Sequence, residues 1–157
     1  MYFTIGGHPA FNVPVCGSID SKEDYLLTFD GQKSLTYLLL DQTSGTVLPG
    51  QTQTLELTDG TCRIDAHMFD NDALVFDGQI EKAGIAFPDG TPYLELTCHR
   101  FPNFGIWSVP GSSFVCLEPW MGRCDDCGFK EELSQKPNIN VLDEDEIFNA
   151  SYEIKIF

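Results

Sequence analysis

Apolar and polar residues alternate with a period of two along much of the chain. Thr54-Leu55-Glu56-Leu57-Thr58, Leu94-Glu95-Leu96-Thr97-Cys98 and Tyr152-Glu153-Ile154-Lys155-Ile156 each put one apolar and one polar face on an extended backbone, the pattern of a half-buried strand. Further strand candidates are Tyr25-Leu26-Leu27-Thr28-Phe29 and residues 35–40, 73–76, 80–87, 104–109 and 113–118, all rich in β-branched and aromatic residues. Turn dipeptides separate them at short intervals: Asp30-Gly31, Ser44-Gly45, Asp59-Gly60, Asp77-Gly78, Asp89-Gly90 and Pro110-Gly111. About ten short strands punctuated in this way predict an all-β fold, an antiparallel sandwich or barrel. Only residues 62–71 and 129–136 lean towards helix, and neither sustains an apolar period of 3.6.

At 157 residues the chain fits one domain or part of a larger one, and it contains no internal repeat, low-complexity tract or linker. Strand-like, motif-dense sequence begins at once after Met1-Tyr2-Phe3, whereas a complete domain more often opens with something dispensable.

Charge narrows the partners. Twenty-four acids against nine Lys and Arg give a net charge of -15 with no basic run, so nothing neutralises a phosphate backbone and nucleic acid is excluded as a partner. Phosphorylated substrates are disfavoured too, unless Arg63, Arg100 and Arg123 converge on one phosphate. The densest acidic run, Asp143-Glu144-Asp145-Glu146, reads as a solvated turn. No apolar stretch approaches the roughly 18 residues of a membrane span, and the start lacks the basic and apolar regions of a signal peptide. A cytoplasmic protein without membrane contact is the expectation, with its six cysteines reduced.

Four stretches could carry chemistry. In Ile5-Gly6-Gly7-His8-Pro9-Ala10-Phe11-Asn12 the glycines allow close backbone approach and Pro9 stiffens the chain after the histidine; His8 is either a held functional group or a loop histidine with no role. In Phe114-Val115-Cys116-Leu117-Glu118-Pro119-Trp120-Met121-Gly122, alternation puts Phe114, Cys116 and Glu118 on one face, and Pro119 is expected to end the strand. A partly desolvated Glu118 would have a raised pKa suited to a general base; the plainer alternative is an exposed strand-end carboxylate. Asp72, at the mouth of a strand, could accept sugar hydroxyls, while His67 with Asp65 and Asp70 lacks a metal-binding signature. The lone Cys124-Asp125-Asp126-Cys127 has neither a second ligand pair for zinc nor the βαβ context of a redox motif, so no metal and no cofactor is expected. Trp107, Trp120, Phe11, Phe101, Phe104 and Tyr93 flank these motifs, and aromatic planes beside carboxylates suit the C–H faces and hydroxyls of a sugar.

Gly6-Gly7-His8-Pro9-Ala10-Phe11-Asn12, the run from Phe101-Pro102-Asn103-Phe104 through Gly105-Ile106-Trp107 to Pro110-Gly111, Cys116-Leu117-Glu118-Pro119-Trp120 and Ser151-Tyr152-Glu153-Ile154 together, in this order, resemble the bacterial branch of the aldose 1-epimerase (galactose mutarotase) family. The resemblance implies a β-supersandwich that interconverts the α and β anomers of free hexoses without metal or nucleotide. It assigns the general acid to His8 and the general base to Glu118 and maps a sugar-binding Asp onto Asp72, with Asn12 and Trp120 as further substrate-binding candidates; opening a hemiacetal calls for one acid and one base about a sugar ring apart. A family domain is about twice this length, and its first half contributes an Arg and another His that have no counterpart before His8. The chain therefore resembles a C-terminal half. A supersandwich cut near its middle would expose strand edges and self-associate. A non-catalytic carbohydrate-binding homologue or an inactive fragment is the competing reading.

Overall fold

The computed structural model describes residues 1–157. Its strands are β1 (Tyr2–Phe3), β2 (Ile5–Gly6), β3 (Ala10–Asn12), β4 (Leu26–Phe29), β5 (Ser34–Asp41), β6 (Thr46–Glu56), β7 (Thr61–Arg63), β8 (Leu74–Asp77), β9 (Lys82–Ala86), β10 (Pro92–Thr97), β11 (Asn103–Trp107), β12 (Phe114–Met121), β13 (Asn140–Val141) and β14 (Glu153–Ile156). Helix is confined to two 3₁₀ turns, Lys22–Asp24 and Leu133–Gln135. No helix is long and apolar enough to cross a membrane.

Two antiparallel sheets make the body. The larger runs β2-β12-β11-β8-β5-β6, with β3 also pairing β12; the smaller runs β14-β10-β9-β4-β7. β1 and β13 form a separate two-stranded ribbon. Alternation decides what lies between the sheets. Leu35, Leu74, Phe76, Phe104, Ile106, Val115 and Leu117 of the larger sheet and Leu27, Phe29, Ala83, Ile85, Leu94 and Leu96 of the smaller belong to one buried cluster of 19 residues. Each fully buried aliphatic of this kind stabilises the fold by about 1.5–3 kcal/mol. The odd-numbered side chains of β12 thus face the core, leaving Cys116, Glu118 and Trp120 on the outer face of the larger sheet. That face has a small apolar patch of its own, Leu40, Val47 and Val75, against which Trp120 packs.

The pattern located the middle strands, and the differences have physical causes. Residues 62–71 form β7 followed by successive turns, in which Met68, Asp70 and Asp72 each donate a backbone N–H to the carbonyl three residues earlier; residues 129–136 yield only one 3₁₀ turn. β6 starts at Thr46, well before the Thr54–Thr58 alternation. The short strands β1, β2, β3, β7 and β13 carry too few residues for periodicity to reveal them.

β14 pairs as an alternating strand but is exposed at all four residues, where half-burial was expected. Ile154 and Ile156 lie opposite the buried Leu96 and Leu94. β14 is, however, the edge strand of its sheet.

Candidate functional site

Pro119 does not end β12, and the reason shapes the site. β2 and β3 are two stretches of one line: Gly6 stands opposite Trp120, and Ala10 opposite Cys116. Counting inward from either pair puts His8 opposite Glu118. Gly7 N–H donates to the Pro119 carbonyl (2.9 Å) and Leu117 N–H to the Pro9 carbonyl (3.3 Å). Neither bond has its usual reciprocal, because Pro9 and Pro119 carry no N–H. The prolines therefore sit where the ladder is interrupted rather than where it stops. Between these two single bonds, His8 and Glu118 form a non-hydrogen-bonded cross-strand pair, the type whose Cα atoms approach to about 4.5 Å and whose side chains lie closest.

The two side chains meet: His8 Nδ1 is 3.2 Å from Glu118 Oε1. That is shorter than the sugar-ring spacing expected from sequence. The difference is structural, since a non-hydrogen-bonded cross-strand pair brings its two side chains closest together. The partners differ sharply in exposure, 61% for the His8 side chain against 5% for Glu118. Burial pushes the Glu118 carboxyl above its ordinary pKa, and the His8 charge and hydrogen bonding from the Trp120 side chain only partly oppose this. His8 also presents itself edge-on to Trp107, with ring centroids 6.0 Å apart.

Trp120 lies across backbone. A Cβ on Gly105 would come within 2.5 Å of Trp120 Cζ2, and a Cβ on Gly6 would strike Cδ1. Glycine at these two positions lets the indole lie flat on the sheet beside Glu118, which faces Gly105 across the β11–β12 ladder.

An open cavity of about 630 Å³ lies over this face and is lined by His8, Glu118, Asp72, Trp107 and Trp120, joined by Arg123 and Lys136. Its size falls in the range of small-molecule sites. Asp72 holds a φ of 75° and accepts the Ala73 N–H at 2.8 Å, a constrained conformation at the mouth of β8. Asn12 stands apart from the others. It is exposed opposite Phe114, four residues along β12 from Glu118, and does not line the cavity.

Lys136 in the cavity wall is an addition to the sequence reading, which named Arg123 only as one of three possible phosphate ligands. Arg123 Nε lies 3.3 Å from Asp77 Oδ1 and its Nη1 lies 2.8 Å from Asp126 Oδ1, while Lys136 Nζ lies 2.8 Å from Asp125. The three arginines do not converge: Arg63 pairs with Asp24, and Arg100 lines a different cavity.

The remaining candidates lie elsewhere. His67 forms an exposed ion pair with Asp70 at 2.8 Å, and the hydrogen bond to Asp70, then the Asp70 and Asp65 charges, raise its pKa. The Cys124–Cys127 segment docks on β6, with Val47 donating to the Asp125 carbonyl and Cys127 donating to that of Val47. All six cysteines are unpaired. One set of side chains converges with metal-ligand chemistry, since the donor atoms of His8, Cys116 and Glu118 lie within 4.8 Å of one another.

No protein-family model matches the chain. It is 28% identical to the plasmid-encoded protein LacX of Lactococcus lactis subsp. lactis, over 99% of this chain and 52% of that protein, and equally to its chromosomal counterpart. The chain thus spans about half the length of the curated relatives it matches. Among solved structures, a galactose mutarotase related enzyme from Lactobacillus acidophilus superposes over the whole chain and 52% of its own, with a TM-score of 0.86 and 25% identity. A galactose mutarotase-like protein from Lactobacillus casei gives 0.68 at 23% identity, over 98% of this chain and 51% of its own. The fold is the galactose mutarotase-like antiparallel β-sandwich, and the chain resembles the galactose mutarotase-related proteins over about half of their length, as expected of a C-terminal half.

Proposed function

We propose that this chain carries the proton-transfer pair of an aldose 1-epimerase, with Glu118 as general base and His8 as general acid on a free hexose. The observation that carries the reading is the cross-strand contact itself: a desolvated carboxylate and an exposed imidazole 3.2 Å apart, under an open cavity walled by two indoles. Ionised Glu118 takes the proton of the anomeric hydroxyl as protonated His8 gives one to the ring oxygen. The C1–O5 bond opens to the free aldehyde, and closure on its other face returns both protons with the roles exchanged. Trp107 and Trp120 supply apolar planes for the ring, and Asp72 accepts sugar hydroxyls. No cofactor takes part in this scheme.

A neutral sugar fits better than a phosphorylated one. The two cations in the wall, Arg123 and Lys136, are already engaged by Asp77, Asp126 and Asp125, leaving no free basic cluster for a phosphate. Unpaired thiols suit a cytoplasmic, reducing setting.

A second reading has its own observation. Because the chain spans about half the length of its relatives, any sugar-orienting groups carried by the other half of such proteins are not among its residues, and positioning contributes much of an enzyme's rate. The isolated chain is then a slow mutarotase or a carbohydrate binder. It also self-associates, because β14 presents an unpaired edge beside exposed Ile154, Ile156 and Phe157. Polarimetry of freshly dissolved α-glucose with parallel saturation-transfer NMR separates the outcomes. Protein-dependent mutarotation supports the enzyme, binding of both anomers without acceleration supports the binder, and neither activity nor binding overturns both.

A further inference from the structure

The three donor atoms that meet on the outer face of β12 invite a ligand other than sugar. Cys116 and Glu118 are two residues apart on one strand and so share a face, and His8 lies across the ladder from Glu118. Two positions on one strand and one on its neighbour form a triangular set of imidazole nitrogen, thiol sulfur and carboxylate oxygen, all within 4.8 Å of one another. Cys116 and Glu118 are buried, at 1% and 4% exposure, and the open side is that of His8 and the cavity. Cys116 contributes nothing to the proton transfer proposed above.

We propose that His8 Nδ1, Cys116 Sγ and Glu118 form a three-ligand site for a thiophilic divalent cation of the zinc class, with its fourth position open to the cavity. Bonds of about 2.0–2.3 Å in a tetrahedral arrangement need donors roughly 3.5 Å apart. His8 and Glu118 already satisfy this at 3.2 Å, so only the thiol must close in. The donor set selects the cation: a single carboxylate cannot provide the six oxygens that magnesium or calcium requires, while a thiolate beside an imidazole favours zinc and its neighbours. On binding, Cys116 releases its thiol proton to solvent, and His8 keeps its ring proton on Nε2 so that the Nδ1 lone pair is free. No oxidation or reduction occurs. Binding stands independently of the sugar reading. One consequence rests on that reading: the lone pairs that hold the metal are those that move protons, so the loaded protein cannot act as an acid–base catalyst.

The test titrates the full chain with Co²⁺ under a phosphine reductant and follows the near-ultraviolet thiolate-to-cobalt charge-transfer band, then displaces cobalt with Zn²⁺. One equivalent of each is expected. Cys116→Ala should abolish the band. His8→Asn, at a side chain that is 61% exposed, should weaken Zn²⁺ binding by at least the ~10–100-fold that loss of an outer-shell partner alone costs. Cys127→Ser should leave the titration unchanged. Far-ultraviolet dichroism of each variant establishes that it is folded. A band that survives Cys116→Ala, a band lost in Cys127→Ser, or parental zinc affinity in His8→Asn would each overturn the site, whatever the protein does with sugars.

Discussion

β12 and β14 read alike in sequence and differ in every physical respect. Both alternate apolar with polar residues, as in Val115-Cys116-Leu117-Glu118 and Glu153-Ile154-Lys155-Ile156. β12 lies between β11 and the broken β2/β3 line, with Val115 and Leu117 in the core and Glu118 dry beneath a cavity. β14 is an edge, and its isoleucines, opposite the buried Leu96 and Leu94, stay 39% and 60% exposed. Alternation fixes which way a side chain faces. Neighbours on the sheet decide whether facing becomes burial, and burial is what turns a glutamate into a candidate base.

The sharpest way to break this contrast is to cut equivalent apolar side chains from the two strands. Leu117→Ala should cost about 2–5 kcal/mol in urea unfolding, as a buried Leu-to-Ala change does, whereas Ile156→Ala should stay within about 0.5 kcal/mol. Equal losses would mean that β14 is covered in solution and the contrast is false.

Next in size are the chemical variants. Glu118→Gln and His8→Asn should each lower protein-dependent mutarotation of glucose or galactose by about 10²-fold or more, equivalent to about 2.7 kcal/mol of barrier, with the fold unchanged by circular dichroism. Activity within twofold of the parent would remove that residue from the mechanism.

A smaller effect has a defined sign. Because burial raises the Glu118 pKa in the folded state, the folded protein holds this proton more tightly than the unfolded chain. The stability this group confers is present below the unfolded carboxylate pKa, about 4.3, and is lost as pH rises through the folded value. Glu118→Gln should therefore unfold at a higher temperature than the parent at pH 7, the gap closing as pH falls towards 4. A variant less stable than the parent at pH 7 would show that the His8 contact outweighs desolvation.

Least costly to the fold is the edge itself. Ile154→Lys with Ile156→Lys should leave the unfolding midpoint nearly unchanged yet reduce association in light scattering, since charge on an edge blocks strand pairing. Unchanged scattering would assign association to another surface.

The contrast also marks how far the sequence was legible. Strand positions in the middle of the chain followed from period two, and the face carrying Cys116 and Glu118 followed from the same rule. The contact of His8 with Glu118 did not, because it depends on a register that spans more than a hundred residues and on two prolines that interrupt the ladder without ending it. Lys136 escaped, and so did the place of Arg123 in the cavity wall, because loops outside the strands bring them there and no local pattern announces that. Asn12 belongs to the His8 motif in sequence, but β3 carries it opposite Phe114, four residues along β12 from Glu118.

The most direct test of the central claim is the rate of anomer exchange of α-glucose, by polarimetry, as a function of parent and Glu118→Gln concentration at neutral pH. The account predicts a rate above buffer that rises linearly with parent protein and a slope about 10²-fold smaller for Glu118→Gln. No protein-dependent rate in the parent, or equal slopes for the two proteins, would contradict it.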